Sequence, residues 1–362
     1  MKSNLSKAAL LFISIALVQT SQAKIWRLNN NGNNPVPAIV ADFTGTLQAA
    51  HDNPSVVSGD TLHVEQSPTT YGACIFTKRL VVIGPGYFLN LNPQTQVNTS
   101  YGATVGDLTF YNALAAASQV FGLTTGSVLM GVNNLLISRC AITGVIVIGN
   151  TNASNLSGMA VRQCFHTGAG NYVASVRNNT GAGLVTNMEF TNNIFSYPLN
   201  LFQTPVILDN RVSGLFKNNV VQGYYAMNMQ NFYLLNNVQY SSTGSINTFA
   251  NCIIENNVGT VAGHFVSPAG TNNTLNPGNQ TATLAQIAFA GGPSTDGAYK
   301  IGPSSVAVGA GKDGVDAGAY AGDYPYKLSG IAPVPNIYAL TVAPISAGAT
   351  TISVTVSAKG NN

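Results

Sequence analysis

The sequence predicts an all-β protein folded as a right-handed parallel β-helix, a solenoid of short strands joined by turns. Three observations predict this class: a strand motif that recurs six times, a low content of charged residues, and an abundance of glycine and asparagine. Charged residues make up 7% of the 362 positions, and 37 residues are glycine. Soluble domains usually carry about 25% charged residues. This composition is typical of a protein with many turns between short strands.

Each repeat of the motif is centred on one anchor residue. The anchors are separated by 24, 29, 26, 18 and 20 residues and are Cys140, Cys164, Asn193, Asn219, Asn237 and Asn257. Residues three and five before each anchor are mostly apolar, whereas those two and four before it are mixed, as in a strand with one buried face. The residue after each anchor is also apolar, and we expect it to face the same interior. A constant strand motif with loops of variable length predicts stacked coils.

Asparagine at four of the six anchors predicts a structural column. Asn tolerates the left-handed backbone conformation of a sharp turn, and stacked Asn side chains can hydrogen-bond along a column. We therefore predict a ladder of buried amides in which the anchors make the turn. The residue before each of these four anchors is also asparagine, which suits a tight polar corner. Chance abundance of Asn is the alternative, but the apolar columns agree with the anchors independently.

Two of the anchors are cysteines in neighbouring coils. Stacked in one column, Cys140 and Cys164 would have Cα atoms about 4.8 Å apart, the spacing of adjacent strands. This distance permits a disulfide. Parallel stacking aims both Cβ atoms the same way, which favours two buried thiols. Both alternatives are open at this point.

The N-terminus has the features of a secretory signal peptide over residues 1–23. Lys2 and Lys7 form the basic region, residues 8–18 are apolar, and Ala23 ends a small-residue cleavage site. The apolar stretch is too short to span a bilayer, and we expect no transmembrane segment in the mature chain. We predict that the protein is secreted or displayed on the cell surface. A net charge of +3, dispersed along the chain, predicts no nucleic-acid partner.

The remaining chain divides into two parts. Residues 24–322 are predicted to form the β-helix, with a short helix at residues 46–50 covering the open end of the first coil. Residues 323–362 are predicted to form a linker and a β-hairpin, with strands at residues 337–342 and 350–356. Because two strands alone are marginally stable in water, we expect this hairpin to pack on the solenoid.

The N-terminal residues resemble the cap and first coils of pectate-lyase-like parallel β-helix proteins. In those proteins a short helix, a Gly-Asp-Thr turn and a strand ending in Ile-Gly recur, as at residues 46–50, 59–61 and 80–84 here. Residues 299–320 are similar to the closing segment of many extracellular β-helix proteins. More narrowly, residues 25–91 and the C-terminal end resemble a poorly characterised group of secreted β-helix proteins of Bacteroidetes-type bacteria. The resemblance implies the fold and export, and it implies no particular reaction.

Characterised proteins of that fold include glycoside hydrolases and polysaccharide lyases. The hydrolases need carboxylates within about 5–10 Å, but Glu189 and Glu255 would lie about 14 Å apart, three strand spacings along the axis. A lyase needs a basic residue and often Ca²⁺. Arg162 and Lys217 share one outward column, with Glu189 beside them, and are weak catalytic candidates. A single carboxylate suits Ca²⁺ poorly, so we predict no cofactor and no metal, and we interpret the cluster as surface ion pairs.

The outward columns also contain apolar residues that are weak candidates for binding. Leu215, Tyr233 and Leu235 would suit sugar-ring stacking on a rigid surface, or burial under loops. The sequence favours an exported, non-catalytic protein that contacts a polysaccharide or a cell-surface protein. A lyase acting on acidic polysaccharide and a purely structural surface protein are the alternatives.

Overall fold

The protein is mostly β-strand in the computed structural model, with two short α-helices, Leu47–Asp52 and Ala262–Phe265, in the described residues. The structure describes residues 23–31, 42–96, 99–149, 155–167, 174–176, 183–196, 206–207, 210–223, 227–241, 244–291, 295–344 and 350–361. The predicted signal peptide lies, except for Ala23, outside the described residues. Short 3-10 helices occur at Leu89–Leu91, Pro93–Thr95, Ala113–Ala115, Gly297–Tyr299, Lys312–Gly314 and Leu328–Gly330.

Three long parallel sheets account for most strands. Sheet 1 contains Ile25–Leu28, Thr61–Val64, Val81–Ile83, Gln119–Phe121, Leu136–Ser138, Leu156–Ser157, Ala160–Arg162, Val185–Thr191, Val212–Lys217, Phe232–Leu235, Ile253–Glu255 and Thr274–Leu275. Sheet 2 contains Thr124–Thr125, Ala141–Ile142, Phe165–His166, Ile194–Ser196, Val220–Gln222, Val238–Tyr240, Val258–Gly259 and Gln280–Thr281. Sheet 3 contains Cys74–Ile75, Leu108–Phe110, Val128–Met130, Ile146–Ile148, Ala174–Val176, Val206–Ile207, Asn228–Gln230 and Thr248–Ala250.

From Gln119–Phe121 to Thr248–Ala250, the chain visits the three sheets in turn, so that each circuit forms one coil. The chain passes from Leu136–Ser138 in sheet 1 to Ala141–Ile142 in sheet 2 and Ile146–Ile148 in sheet 3, and then returns to sheet 1. Neighbouring coils pair in register: Val161 lies opposite Ile137 on one side and Phe190 on the other. This all-β arrangement of long parallel sheets fits a parallel β-helix.

The predicted N-terminal helix is present and begins at a capped residue. The Thr46 side chain accepts a hydrogen bond from Ala49 N at 3.1 Å, which satisfies one of the free amides of the first turn. Leu47, Ala50 and His51 are buried. His51 donates from Nδ1 to Asp52 at 2.7 Å, because its Nε2 accepts from Thr77 N at 3.1 Å. The helix thereby covers the apolar interior at this end.

Each of the six coils that carry the anchor motif turns from sheet 1 into sheet 2 at a residue with positive φ. These residues, with φ between 53° and 57°, are Arg139, Gln163, Asn192, Asn218, Asn236 and Asn256. The expectation that the anchors themselves take the left-handed conformation was therefore wrong. The residue before each anchor makes the turn, and the anchor that follows points inward.

The four asparagine anchors form a single file of hydrogen-bonded amides. Nδ2 of Asn193 donates to Oδ1 of Asn219 at 3.1 Å, Asn219 to Asn237 at 3.1 Å, and Asn237 to Asn257 at 2.9 Å. The file continues to Asn279, which accepts from Asn257 at 3.0 Å and which the motif did not include. Each Oδ1 also accepts the backbone N–H of the preceding anchor, so the buried amides are satisfied from neighbouring coils.

The two cysteine anchors are free, buried thiols. Sγ of Cys164 accepts from Cys140 N at 3.4 Å, and Cys164 N donates to Asn193 Oδ1 at 2.9 Å. The thiols thus continue the column where the amides end. Burial raises the pKa of Cys164 well above its ordinary value, so the sulfur is a neutral thiol.

The apolar residues sort into two separate cores. The interior of the coils holds the anchors and the residues two after, three before and five before them, such as Ile142, Ile137 and Leu135. The residue after each anchor belongs instead to a second core outside the coils, formed with residues 282–326. The expectation that it faces the interior was wrong. Its column consists of Ala141, Phe165, Ile194, Val220, Val238 and Val258.

Residues 282–291 and 295–335, here called the covering segment, run back along the corner between sheets 1 and 2. The left-handed corner residues hold this segment by its backbone carbonyls. Asn256 donates to Ala310 O at 3.2 Å, Asn192 to Ala319 O at 2.8 Å, Gln163 to Pro325 O at 2.7 Å, and Arg139 to Ile331 O at 3.0 Å. Later residues of the covering segment contact earlier coils, so it covers the outward apolar column.

A buried polar cluster fixes the covering segment against an early loop. Asp296 is fully buried and accepts from Ser329 N at 2.6 Å and from Asn92 Nδ2 at 3.2 Å. The hydroxyl groups of Tyr87 and Tyr326 lie 2.5 Å apart. Desolvation raises the pKa of both tyrosines. The Asn92–Asp296 and Tyr87–Tyr326 contacts each join segments more than 200 residues apart.

The C-terminal hairpin pairs Asn336–Val342 with Val354–Lys359. Its second strand therefore begins later than the predicted residue 350, and the predicted turn at residues 346–349 lies outside the described residues. The side chains of both strands are mostly exposed. The hairpin contacts the coils through its base, at Asn336 and Asn361, rather than along its length.

The ladder can be tested with two adjacent asparagines. Asn219→Ala removes the acceptor of the N–H and amide groups of Asn193 and the donor to Asn237, so we expect a loss of about 3 kcal/mol in the free energy of unfolding. Asn218→Gly keeps the left-handed turn and loses one long hydrogen bond, 3.4 Å to Gly318 O, so we expect less than about 1 kcal/mol. Chemical denaturation measures both. Equal losses would contradict the ladder's role.

Buried histidine makes the fold acid-sensitive. His166 stacks on Phe195 inside the coils, and burial lowers its pKa to about 3. The folded chain therefore does not take up the proton that an unfolded chain binds near pH 6.5, so stability falls as the pH falls from about 6.5 towards 3. We expect His166→Leu to reduce the loss of stability between pH 7.5 and 5 by up to about 2 kcal/mol.

Thermal unfolding at both pH values measures this effect. The matched control is Val221→Ala, in the same interior column, which should lower stability equally at both pH values. An unchanged pH dependence in His166→Leu would contradict the assignment.

Candidate functional site

The outward side chains of sheet 1 form two columns along the coils. In register, one column is Ala160, Glu189, Leu215, Tyr233 and Ile253, and the other is Arg162, Thr191, Lys217, Leu235 and Glu255. The weak catalytic and binding candidates from the sequence thus lie on one face of one sheet. The covering segment runs beside the second column.

The structure brings two of the three catalytic candidates together. Arg162 donates from Nε to Glu189 at 2.8 Å and forms a second hydrogen bond from Nη2 to the same carboxylate. Its guanidinium carbon lies 4.6 Å from the ring centroid of Tyr324, in the covering segment. Lys217 pairs with Asp323 instead, at 2.8 Å. The cluster is therefore two separate ion pairs against the covering segment.

This geometry disfavours proton abstraction by Arg162. Burial lowers the pKa of Arg162, but the hydrogen bonds and charge of Glu189 outweigh it, so the pKa is raised overall. A base must lose its proton to act, and this guanidinium holds its proton more tightly than usual. A lyase reaction stays an untested prediction, and the contacts support a structural role for this pair.

The three apolar binding candidates do not share one open surface. Leu235 is 7% exposed, whereas Leu215 and Tyr233 are half-buried. The Tyr233 hydroxyl donates to Glu255 at 2.5 Å, and Lys312 lies 3.2 Å from the same carboxylate. Tyr233 is therefore engaged in a polar cluster with the covering segment.

A cleft lies beside the first coils, between sheet 1 and the base of the C-terminal hairpin. Its volume is about 460 Å³, within the range of small-molecule sites. It is lined by Asn29, Asn31, His63, Val64, Glu65, Gln66, Gly84, Pro85, Gln96, Ile331, Ala332, Val334, Pro335 and Asn336. Amides and one carboxylate line one side, and apolar residues of the covering segment line the other.

The charged groups of the cleft are paired with each other. Glu65 accepts from Arg27 Nε at 2.5 Å and from Asn29 Nδ2 at 2.8 Å. Asn29 in turn accepts from Asn31 N at 2.8 Å. These bonds hold the carboxylate and the amides in fixed positions, and the charge of Glu65 is balanced by Arg27.

Gln96 and His63 also line the cleft, and their polar groups are not part of this hydrogen-bonded network. Nε2 of Gln96 is buried and has no hydrogen-bond partner among the described residues. Burial lowers the pKa of His63; the charge of Arg27 lowers it further, and the charge of Glu65 opposes the shift. The imidazole is therefore neutral at pH 7, and it can donate one hydrogen bond and accept another. An unpaired buried donor costs free energy, and a ligand oxygen at Gln96 would recover it.

The sequence contained weak signals of this cleft. His63 and Glu65 are polar residues on the strand Thr61–Val64 and just after it, and alternation with buried Leu62 and Val64 places His63 outward. No pattern in the sequence distinguishes Gln96 as a residue of the cleft. The opposite wall comes from residues 331–336, and no local pattern predicts that they return to the first coils.

Metal ligands are not clustered. Within the described ranges, no group of three or more His, Cys, Asp or Glu side chains could hold a metal ion. In the same part of the chain, no helix has the length and apolar content needed to cross a membrane.

Comparisons with protein families, with curated proteins and with solved structures found no match.

The two ion pairs differ in a way that can be measured. Glu189→Ala leaves the half-buried Arg162 without its bidentate partner, so we expect a loss of about 1–2 kcal/mol in the free energy of unfolding. Lys217→Ala removes a pair whose Asp323 side chain is 75% exposed, so we expect less than about 0.5 kcal/mol. Chemical denaturation in low and high salt compares them. A larger loss in Lys217→Ala would contradict this ranking.

Proposed function

We propose that this protein is an exported, non-catalytic carbohydrate-binding protein whose binding site is the cleft beside its first coils. The observation that carries the proposal is the buried Nε2 of Gln96, which has no hydrogen-bond partner among the described residues, in a cleft of about 460 Å³ with one polar and one apolar wall. Pockets that combine an apolar wall with a few placed polar groups are the usual form of small-ligand sites.

The lining matches the surface of a sugar. Amide side chains both donate and accept, as vicinal hydroxyl groups require, and Gln96 lies on the lining. The opposite wall contains Ile331 and Val334, which would cover the apolar C–H face of a sugar ring. A flat hydrocarbon ligand would leave the Gln96 donor unpaired, so a ligand rich in hydroxyl groups fits better.

The charges favour a neutral glycan over an acidic one. Among the described residues, Glu65 is the only carboxylate of the lining, and Arg27 already balances it. The same described lining contains no Lys or Arg to receive the carboxylate of a uronate, and desolvating an unpaired charge is costly. We therefore propose neutral oligosaccharide as the ligand class.

We also propose that the coils are right-handed and that the protein is secreted or displayed on the cell surface. Parallel strands joined through a crossover are right-handed in about 98% of cases, which supports right-handed coils of the pectate-lyase-like kind that the N-terminal residues resemble. The predicted signal peptide at residues 1–23 supports secretion or display on the cell surface, where glycans are the accessible polymers.

A panel of immobilised neutral and acidic glycans tests the ligand class, and calorimetry with the best neutral oligosaccharide tests the site. We expect Gln96→Ala and His63→Ala each to weaken binding about tenfold, the value of one lost hydrogen bond. Gln119→Ala is the matched control, because Gln119 is exposed on the outward face of the same sheet and lies outside the cleft. Its affinity should not change.

Two outcomes would overturn the proposal. One is binding that survives both cleft variants while their thermal midpoints match that of the unaltered protein. The other is formation of ultraviolet-absorbing unsaturated products from an acidic polysaccharide, with or without Ca²⁺, which would identify a lyase.

A further inference from the structure

The C-terminal hairpin presents one apolar face to solvent. Directly opposed residues of an antiparallel pair place their side chains on the same face. The register pairs Leu340 with Val356, Val342 with Val354, and Ile337 with Ala358, so these six apolar residues share one face. The pairs Thr341 with Thr355, Ala339 with Ser357 and Asn336 with Lys359 lie on the other face. The hairpin is therefore amphipathic, although neither face packs along the coils.

The apolar face is accessible over its whole length. The exposed fractions are 51% for Leu340, 55% for Val342, 52% for Val354 and 54% for Val356, and Ile337 is 48% exposed. Half-exposed side chains of this size make a contiguous patch on the order of 500 Å², the size of the largest apolar patch on a typical monomer, which is often functional.

The base of the hairpin is fixed while its strands project. Asn336 donates to Thr95 O at 2.5 Å, and Asn361 donates to Asn336 Oδ1 at 2.6 Å. Arg139, at a coil corner, donates to Asn361 O at 2.6 Å. These bonds hold both ends of the hairpin on the early coils. The projecting strands are thus presented in one orientation, and a partner would meet a pre-organised surface.

We propose that the apolar face of this hairpin binds the same face of a second copy of the chain. An isolated two-stranded hairpin is marginally stable in water, and a second apolar layer about 10 Å away is the usual way to bury such a face. Two copies in twofold symmetry would place each patch against its own equivalent, the commonest form of association between identical chains.

The chemistry of the face favours an identical partner. None of the six residues carries charge or a hydrogen-bonding side chain, so the face offers no polar group that would select a different, charged surface. Two patches of this size bury about 1,000 Å² together, the lower limit for a specific interface. A dimer with a dissociation constant in the micromolar range is therefore expected.

A lipid bilayer is a poorer partner for this hairpin. In the described strands, the outer edges of Asn336–Val342 and Val354–Lys359 pair with no further strand, so their backbone N–H and C=O groups face solvent. Entry into hydrocarbon would leave these groups unsatisfied, at several kcal/mol for each group. Face-to-face association with a second hairpin buries the side chains and leaves both edges in water.

Light scattering after size-exclusion chromatography, over about a hundredfold range of protein concentration, tests the proposal. We expect twice the mass of one chain at high concentration and a single chain at low concentration. Leu340→Lys and Val356→Lys place a charge in the interface, so each should weaken association about a hundredfold or more. The matched controls are Thr341→Lys and Thr355→Lys, on the other face of the same strands, which should associate like the unaltered protein.

The substituted side chains are exposed in one chain, so thermal unfolding at low concentration should be the same for all four variants. A single chain at every concentration would overturn the proposal. So would equal loss of association in the control variants. Vesicle binding by a single chain, lost in Leu340→Lys, would also overturn it and would assign the face to a membrane.

Discussion

The need to satisfy polar groups at one corner governs this structure. Each coil that carries the anchor motif turns sharply from sheet 1 into sheet 2, and the turn combines a left-handed residue that points outward with a following residue that points inward. At Asn218 and Asn219 both are asparagine. The inward amide is satisfied by the coils above and below, so it can be buried at little cost. The outward residue holds the covering segment. One pair of adjacent residues thus organises both the interior and the layer outside it.

The sequence predicted the strands and the anchor column because these features are local. Alternation of apolar residues identified the inward positions before each anchor, such as Val161. Alternation gave the wrong face for the residue after the anchor, because the left-handed residue interrupts the alternation. Asn193 points inward, so Ile194 points outward. An apolar residue at that position is equally compatible with an interior or with a covered exterior. Only the path of the covering segment decides between them.

For the candidate sites too, the sequence predicts contacts between adjacent coils but not contacts with segments far away in the chain. Arg162 and Glu189 lie in paired strands of adjacent coils, so the repeat alone placed them near each other. The partner of Lys217 is Asp323, which is 106 residues away, and no spacing rule connects them. The cleft joins residues near 63 and 96 with residues near 334. It exists only because the end of the chain returns to its beginning.

That return also determines the order in which the structure can be completed. Tyr87 finds Tyr326 only after 239 further residues have been synthesised. Without the covering segment, the outward side chains of Ile194 and Val220 would be exposed to water. Contacts of such long sequence separation form slowly because loop closure costs entropy before any contact compensates it. Apolar surface that is exposed before these contacts form favours aggregation, so closure of the covering segment over the outward column protects the chain.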